Sequence, residues 1–195
     1  MMFPLSITKA EVMDLPLSAY EGKVVIATTD EQIAEAMAEI NRFTVVGFDT
    51  EARPTFKKGQ IRNVSLIQVA TSEKVYLLRL MQTGLTDELV EFLENEQLLK
   101  VGIGLEDDYN LLRRLRGFRP GGFLDLNPKL KELGAESIGA RNLAAMILEI
   151  RISKSAQTSN WENETLTQKQ IRYAATDAWI CHEIYQKLLN WGYLE

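Results

Sequence analysis

The chain carries one cysteine and one histidine in 195 residues, Cys181 and His182. A single thiol excludes an internal disulfide, and a single imidazole excludes a histidine-rich metal cluster. No window approaches 18 consecutive uncharged apolar residues, so no segment reads as a membrane span. The opening MMFPLSITKAEVMDLPLSAY has neither a basic n-region nor a continuous apolar run. No secretory leader is expected from it, and the expectation is a soluble, cytoplasmic protein. Positive charge is also short: 22 basic residues stand against 27 acidic, a net charge of −5. That excludes a protein that coats nucleic acid by bulk charge. It leaves room for one that grips nucleic acid locally and holds metal ions with carboxylates.

What is present is ordinary for a globular chain, with 46% hydrophobic and 25% charged residues, enough for one domain with a core. There is no internal repeat and no low-complexity tract. Residues 1–20, with Pro4 and Pro16 and no periodicity, predict an extended N-terminal arm, and residues 21–195 a single domain. Helical spacing of Ile33, Ala36, Met37 and Ile40 predicts a helix over 30–40 with Asp30 as N-cap. TVVGFDTE (44–51) reads as a buried strand ending in two acids. A polar loop from Ala52 to Asn63 follows, holding Lys57, Lys58 and Arg62. VSLIQVA (64–70) and KVYLLRL (74–80) predict a hairpin, DELVEFLENEQ (87–97) a helix and LLKVGIG (98–104) a strand. A helix over 108–115, a short strand at 123–126 and helices near 141–149 and 167–190 complete the pattern. A meander followed by strand–helix–strand units implies an α/β fold, a mixed sheet of five to six strands flanked by helices.

Several acids stand where acids are expensive. Asp49 and Glu51, two apart in a strand, share one face and lie roughly 7 Å apart along the backbone. They share parity with Val45 and Gly47. A strand end with solvated acids would explain that pair alone. In helix 108–115, Asp108 precedes Leu111, Leu112 and Leu115 by three, four and seven residues, so it falls on their inward stripe. Asp107 is rotated off that stripe and Glu106 sits before the helix. A simple N-cap is the competing reading. In the last helix Tyr173, Asp177, Ile180, Ile184 and Leu188 follow at spacings of four, three, four and four. Asp177 therefore lies within an apolar stripe, which costs several kcal/mol unless a cation or donor compensates. An internal salt bridge to an arginine of 113–119 is the alternative. Tyr173 sits one turn before Asp177 on the same face.

Oxygen-only ligands without Cys or His indicate hard cations, Mg²⁺ or Mn²⁺, and not zinc. Four carboxylates converging from separate segments suit two ions about 4 Å apart, as in phosphodiester chemistry.

GFDTE, VGIGLEDDYNLLRRL and YAATDAW resemble, in order and spacing, the three motifs of the DEDD family of 3′→5′ exonucleases. The tyrosine four residues before the last aspartate marks the DEDDy branch. The wording is closest to the Werner syndrome exonuclease and ribonuclease D group, over roughly residues 23–190. The resemblance implies a ribonuclease H-like fold and two divalent metals. Asp49, Glu51 and Asp177 would hold the first, and Asp49 and Asp108 the second. Tyr173 would orient the attacking water, and nucleoside 5′-monophosphates would leave from a 3′ end. The sister branch's histidine position is Arg172 here, so His182 reads as a helical histidine without a catalytic role.

The same resemblance makes Lys154 and Trp161 substrate contacts, the lysine neutralising a phosphate and the tryptophan bracing the site or stacking a base, with core packing beneath the last helix as the alternative for the tryptophan. Nucleic acid, as single strands or 3′ ends of DNA or RNA, is the implied partner. Any helicase or other repair or RNA-processing partner would act in trans. A catalytically weak or inactive nucleic-acid-binding module on the same fold is the alternative function. The net charge then needs partitioning. Four of the acids would be metal ligands, and Lys100 to Lys131 is locally positive, seven basic residues against four acidic. RRLRGFR (113–119), with Lys57, Lys58 and Arg62, would form a phosphate track if these residues are more than a solvated face.

Overall fold

A computed structural model describes residues 3–54 and 63–194. The chain begins with a short helix α1 (Lys9–Asp14) and an edge strand β1 (Val24–Ala27), then α2 (Asp30–Ile40) and β2 (Val45–Ala52). Strands β3 (Val64–Ala70) and β4 (Val75–Leu78) form the hairpin, followed by a single turn α3 (Leu80–Thr83) and α4 (Asp87–Glu94). Next come β5 (Leu99–Gly102), α5 (Glu106–Leu115), β6 (Phe123–Asp125) and α6 (Leu126–Glu132). The chain ends with α7 (Ala140–Leu143), which runs on as a π-helical turn (Ala144–Leu148), and the long α8 (Gln168–Asn190).

The six strands form one sheet in the order β1-β4-β3-β2-β5-β6. β2, β3 and β4 are antiparallel neighbours, while β1 pairs with β4, β2 with β5 and β5 with β6 in parallel. The sheet alternates its side chains between two cores. Val46 and Phe48 of β2 join Ile67 and Val69 of β3 under α2 and α4. On the other face Leu66 and Ala70 of β3 pack beneath Ala174, Ala175 and Ala178 of α8. This is the mixed α/β sheet that the pattern predicts.

The differences are local. β1 and α6 escape the pattern because each is short; β1 is four residues at the sheet edge, with Ile26 on the exposed side. Residues 3–20 dock on the domain where an extended arm is expected. Phe3 and Val12 are buried, Thr8 closes a capping box on α1, and Leu17 bridges to Arg151. The apolar residues of that stretch lack periodicity because each docks separately on a different part of the domain. α5 starts at Glu106, two residues earlier than its apolar stripe suggests, and Leu115 at its end is solvent-exposed. The helix near 141–149 changes from α to π geometry at Ala144 and stops where Glu149 takes a left-handed conformation. Lys57, Lys58 and Arg62 lie outside the described residues.

Candidate active site

β2 carries Asp49 and Glu51 on the face covered by α8, and Gly47 on the same face explains how close that helix comes. A Cβ at residue 47 would lie 2.0 Å from the carbonyl oxygen of Ala178 and 2.8 Å from the amide of His182. Only a glycine lets the helix backbone rest on the strand at this point. The consequence is that Asp177, one residue before Ala178, arrives beside Asp49. One carboxylate oxygen from each of Asp49, Glu51 and Asp177 can be chosen so that all lie within 4.8 Å of one another.

Asp108 reaches the same strand end from the opposite face of the sheet. Thr50, whose side chain alternates away from its two acidic neighbours, donates its hydroxyl to Asp108 Oδ1. α5 is set in place by Asp125 at the end of β6. Its carboxylate accepts the backbone N–H of Gly104 and of Leu105, each at 2.9 Å, and also that of Asn127 at 2.9 Å. Of the three acids that open α5, Glu106 and Asp107 are exposed and Asp108 alone is turned inward, in agreement with its helical phase.

Crowding and burial act together on these groups. Removal from water pushes Asp177 up to about 7, against the opposing effect of the Tyr173 hydroxyl that donates to it. The same cause, with the charges of Asp177 and Asp108 added, raises Glu51 to about 9 and holds Asp49 well above its ordinary range. Asp108 rises to about 6, restrained by the Thr50 hydrogen bond. Among the described residues, no arginine or lysine pairs with any of the four. The alternative of an Asp177–arginine bridge is therefore not what the fold builds: Arg116 pairs with Asp87, and Arg113 bonds the carbonyl of Phe118. Carboxylates that burial shifts upward, with the charge of their neighbours adding to it for Asp49 and Glu51, form a cluster short of positive charge. Three oxygen donors at this spacing fit a hard divalent cation. Cys181 is no competitor, since burial raises its thiol far above the usual value and its Sγ donates to the Asp177 carbonyl at 3.2 Å. His182 is buried, with its ring Nδ1 3.0 Å from Glu183 Oε1.

The remaining predicted residues separate. Lys154 lines a cavity of about 230 Å³ together with Tyr173, Asp177, Arg141 and Gln157. Trp161 does not reach that cavity. It is fully buried and packs against the Tyr173 ring, centroids 6.0 Å apart, so no face of its indole is left for a base. Its place is beneath the tyrosine, as a brace. Lys100, counted in the basic middle of the chain, is also fully buried. Its ammonium donates to the carbonyls of Phe92, Asn95 and Leu98 and cannot meet a phosphate. Thr50, Asp125 and Gly47 escape sequence reasoning as site residues. Only Gly47 leaves a signal there, as a glycine inside an otherwise β-branched and aromatic strand.

Residues 24–191 match a family model described as 3′-5′ exonuclease. A curated relative, the mouse bifunctional 3′-5′ exonuclease/ATP-dependent helicase WRN, is 38% identical over 156 residues, covering 76% of this chain. That match spans 11% of the mouse protein, so the chain corresponds to a small part of that relative. Among solved structures, the Aedes aegypti Nibbler EXO domain superposes with a TM-score of 0.79 at 24% identity, over 89% of this chain and 93% of that one. Escherichia coli RNase D gives 0.78 at 23% identity, over 86% of this chain and 44% of that one. These two likenesses establish a shared fold, and the family model covers all three of the segments that supply the acids. The chain therefore belongs to the 3′-5′ exonuclease family of hydrolases.

Proposed function

We propose that this chain hydrolyses phosphodiester bonds at the 3′ ends of nucleic acid strands and releases nucleoside 5′-monophosphates by a two-metal mechanism. The observation that carries the reading is the convergence of Asp49, Glu51 and Asp177, with Tyr173 hydrogen-bonded to Asp177 and Asp108 at the same strand end. Asp49, Glu51 and Asp177 would hold one Mg²⁺ or Mn²⁺ ion, and Asp49 with Asp108 a second. Such ions supply an activated water and offset the charge on the attacking and leaving oxygens. The chain's own residues supply the rest. Tyr173, whose hydroxyl burial keeps protonated, orients the water as a neutral donor beside Asp177. Lys154, at the cavity shared with Tyr173, meets a phosphate of the bound strand. Thr50 and Asp125 hold Asp108 at its distance from the first cluster.

The test is a 5′-labelled single strand incubated with Mg²⁺ or Mn²⁺, as matched DNA and RNA, with Asp49→Ala as control. A ladder of shortened products that Asp49→Ala abolishes is expected on at least one of the two. Folded protein that shortens neither would overturn the reading.

A further inference from the structure

A second cleft adjoins the cavity that Lys154 lines, and Lys154 is not among its walls. It has a volume of about 260 Å³, and Tyr173 and Ser153 line both it and the cavity that contains Asp177. One wall is the segment 17–19, which lies outside the residues matched by the family model. The other wall is the first turns of α8, with Lys169 and Arg172.

The N-terminal wall is held firmly. Leu17 forms a parallel bridge with Arg151, and the Ser18 amide donates to the Arg151 carbonyl at 2.9 Å. The Tyr20 amide donates to Thr176 Oγ1 at 3.0 Å, and the Tyr20 ring lies against Trp179. Leu17 is nevertheless 59% exposed at the cleft, an apolar side chain facing open space. Opposite it, Lys169, Arg172, Tyr173 and Thr176 have helical spacings of three, one and three and form one stripe. That stripe leads one turn further to Asp177, and Lys169 precedes Tyr173 by about 6 Å along the axis. Among the described residues Lys169 has no ion pair, and Arg172 has only an exposed one, to Glu21 at 3.1 Å. An exposed pair of this kind is worth little and yields readily to a phosphate. The cleft thus offers an apolar surface facing two available cations, with hydroxyls between them. Those are the features that a sugar–base unit and its flanking phosphate would meet.

We infer that this cleft is a binding subsite for the nucleic acid strand on the 5′ side of the scissile bond, with phosphates on Lys169 and Arg172 and a sugar or base against Leu17. The inference rests on the exonuclease reading and extends it to residues outside the acidic site. It makes the N-terminal segment part of the substrate groove.

The experiment compares a 5′-labelled 12-nucleotide single strand with the p-nitrophenyl ester of thymidine 5′-monophosphate, which is too short to enter the cleft. For Lys169→Glu and Arg172→Gln, KM for the 12-mer should rise about fivefold each with kcat unchanged, and hydrolysis of the ester should match the parent protein. The salt dependence of 12-mer affinity should lose about 0.7 from its log–log slope for each cation removed. Lys169→Arg should restore both KM and slope, which a merely structural role for the lysine chain would not require. Variants that keep the parent's KM and slope overturn the subsite, and so does an equal loss on both substrates. If the parent protein hydrolyses neither substrate, the exonuclease reading falls. Anisotropy of the same 12-mer then decides the subsite on the same slope criterion.

Discussion

Replacing Asp177 by asparagine should stabilise the protein when no divalent ion is bound, although it removes a charged group from the centre of the candidate site. The unfolded chain holds this carboxyl at an ordinary 3.8, whereas burial raises it to about 7 in the fold. At about 1.4 kcal/mol per pH unit, that difference corresponds to about 4 kcal/mol of native-state destabilisation at pH 8. Solvent relaxation and the burial of a new amide leave about 2 kcal/mol as the expected gain. The amide oxygen can still accept from the Tyr173 hydroxyl, and its N–H groups can donate to the crowded neighbours.

The sign follows from proton linkage. A carboxyl whose folded value is raised takes up a proton on folding between about 3.8 and 7. The stability it contributes is fully present below 3.8 and is lost as pH rises through about 7. The advantage of Asp177→Asn should therefore be largest at pH 8 and fall to less than half at pH 5. Thermal unfolding in EDTA reads this directly. For a chain of this length about 2 kcal/mol is expected to raise Tm by roughly 4–8 °C at pH 8. With millimolar Mn²⁺ the order should reverse, because ligand binding stabilises the parent fold and the variant has lost a ligand oxygen. A variant that melts lower in EDTA by the equivalent of about 3–5 kcal/mol would refute the reasoning, since that is the signature of breaking a buried ion pair. A gain independent of pH would refute it as well.

Gly47→Ala should destabilise the fold by about 1–3 kcal/mol, because its Cβ would have to displace helix backbone. It should also abolish the Mn²⁺-induced rise in Tm by moving Asp177 away from Asp49. Tyr173→Phe should keep that Mn²⁺ response while lowering kcat on a labelled strand by about 10²–10³, the usual range for removing one positioned hydrogen-bond donor. Loss of the Mn²⁺ response instead would make the tyrosine a support for the ligands. Asp125→Ala should cost about 1–3 kcal/mol in denaturant unfolding through the orphaned amides of Gly104 and Leu105. It should weaken Mn²⁺ binding in titrations as well, because the entry to α5 sets Asp108; unaltered binding would detach that turn from the site.

The acids themselves were legible in the chain because burial costs make them conspicuous. Asp177 interrupts an apolar helical stripe, Asp108 is in phase with Leu112, and Asp49 and Glu51 share a strand face. Each of those statements needs only a local period, 3.6 or 2, and local periods survive without knowledge of partners. The strands with strong β-branched runs, β2 to β5, were legible for the same reason, whereas β1 and the helix at 9–14 depend on docking to distant parts of the chain. The roles of polar residues that act through one contact were not legible. Thr50 is an ordinary strand threonine until α5 brings Asp108 to it, and Asp125 is an ordinary cap until the Gly104 turn folds over it. The basic run 113–119 suggests a phosphate track, yet its Arg116 is spent on Asp87, and Lys100, counted in the same positive stretch of the chain, is spent inside on three carbonyls.

Sequence alone thus determined which carboxylates share a strand face or an apolar helical stripe, since that depends on backbone geometry each segment carries with it. Tertiary structure alone decided which of them meet. The missing side chain of Gly47 lets α8 lie directly on β2, and that approach joins Asp177 to Asp49 and Glu51 across a separation of more than a hundred residues.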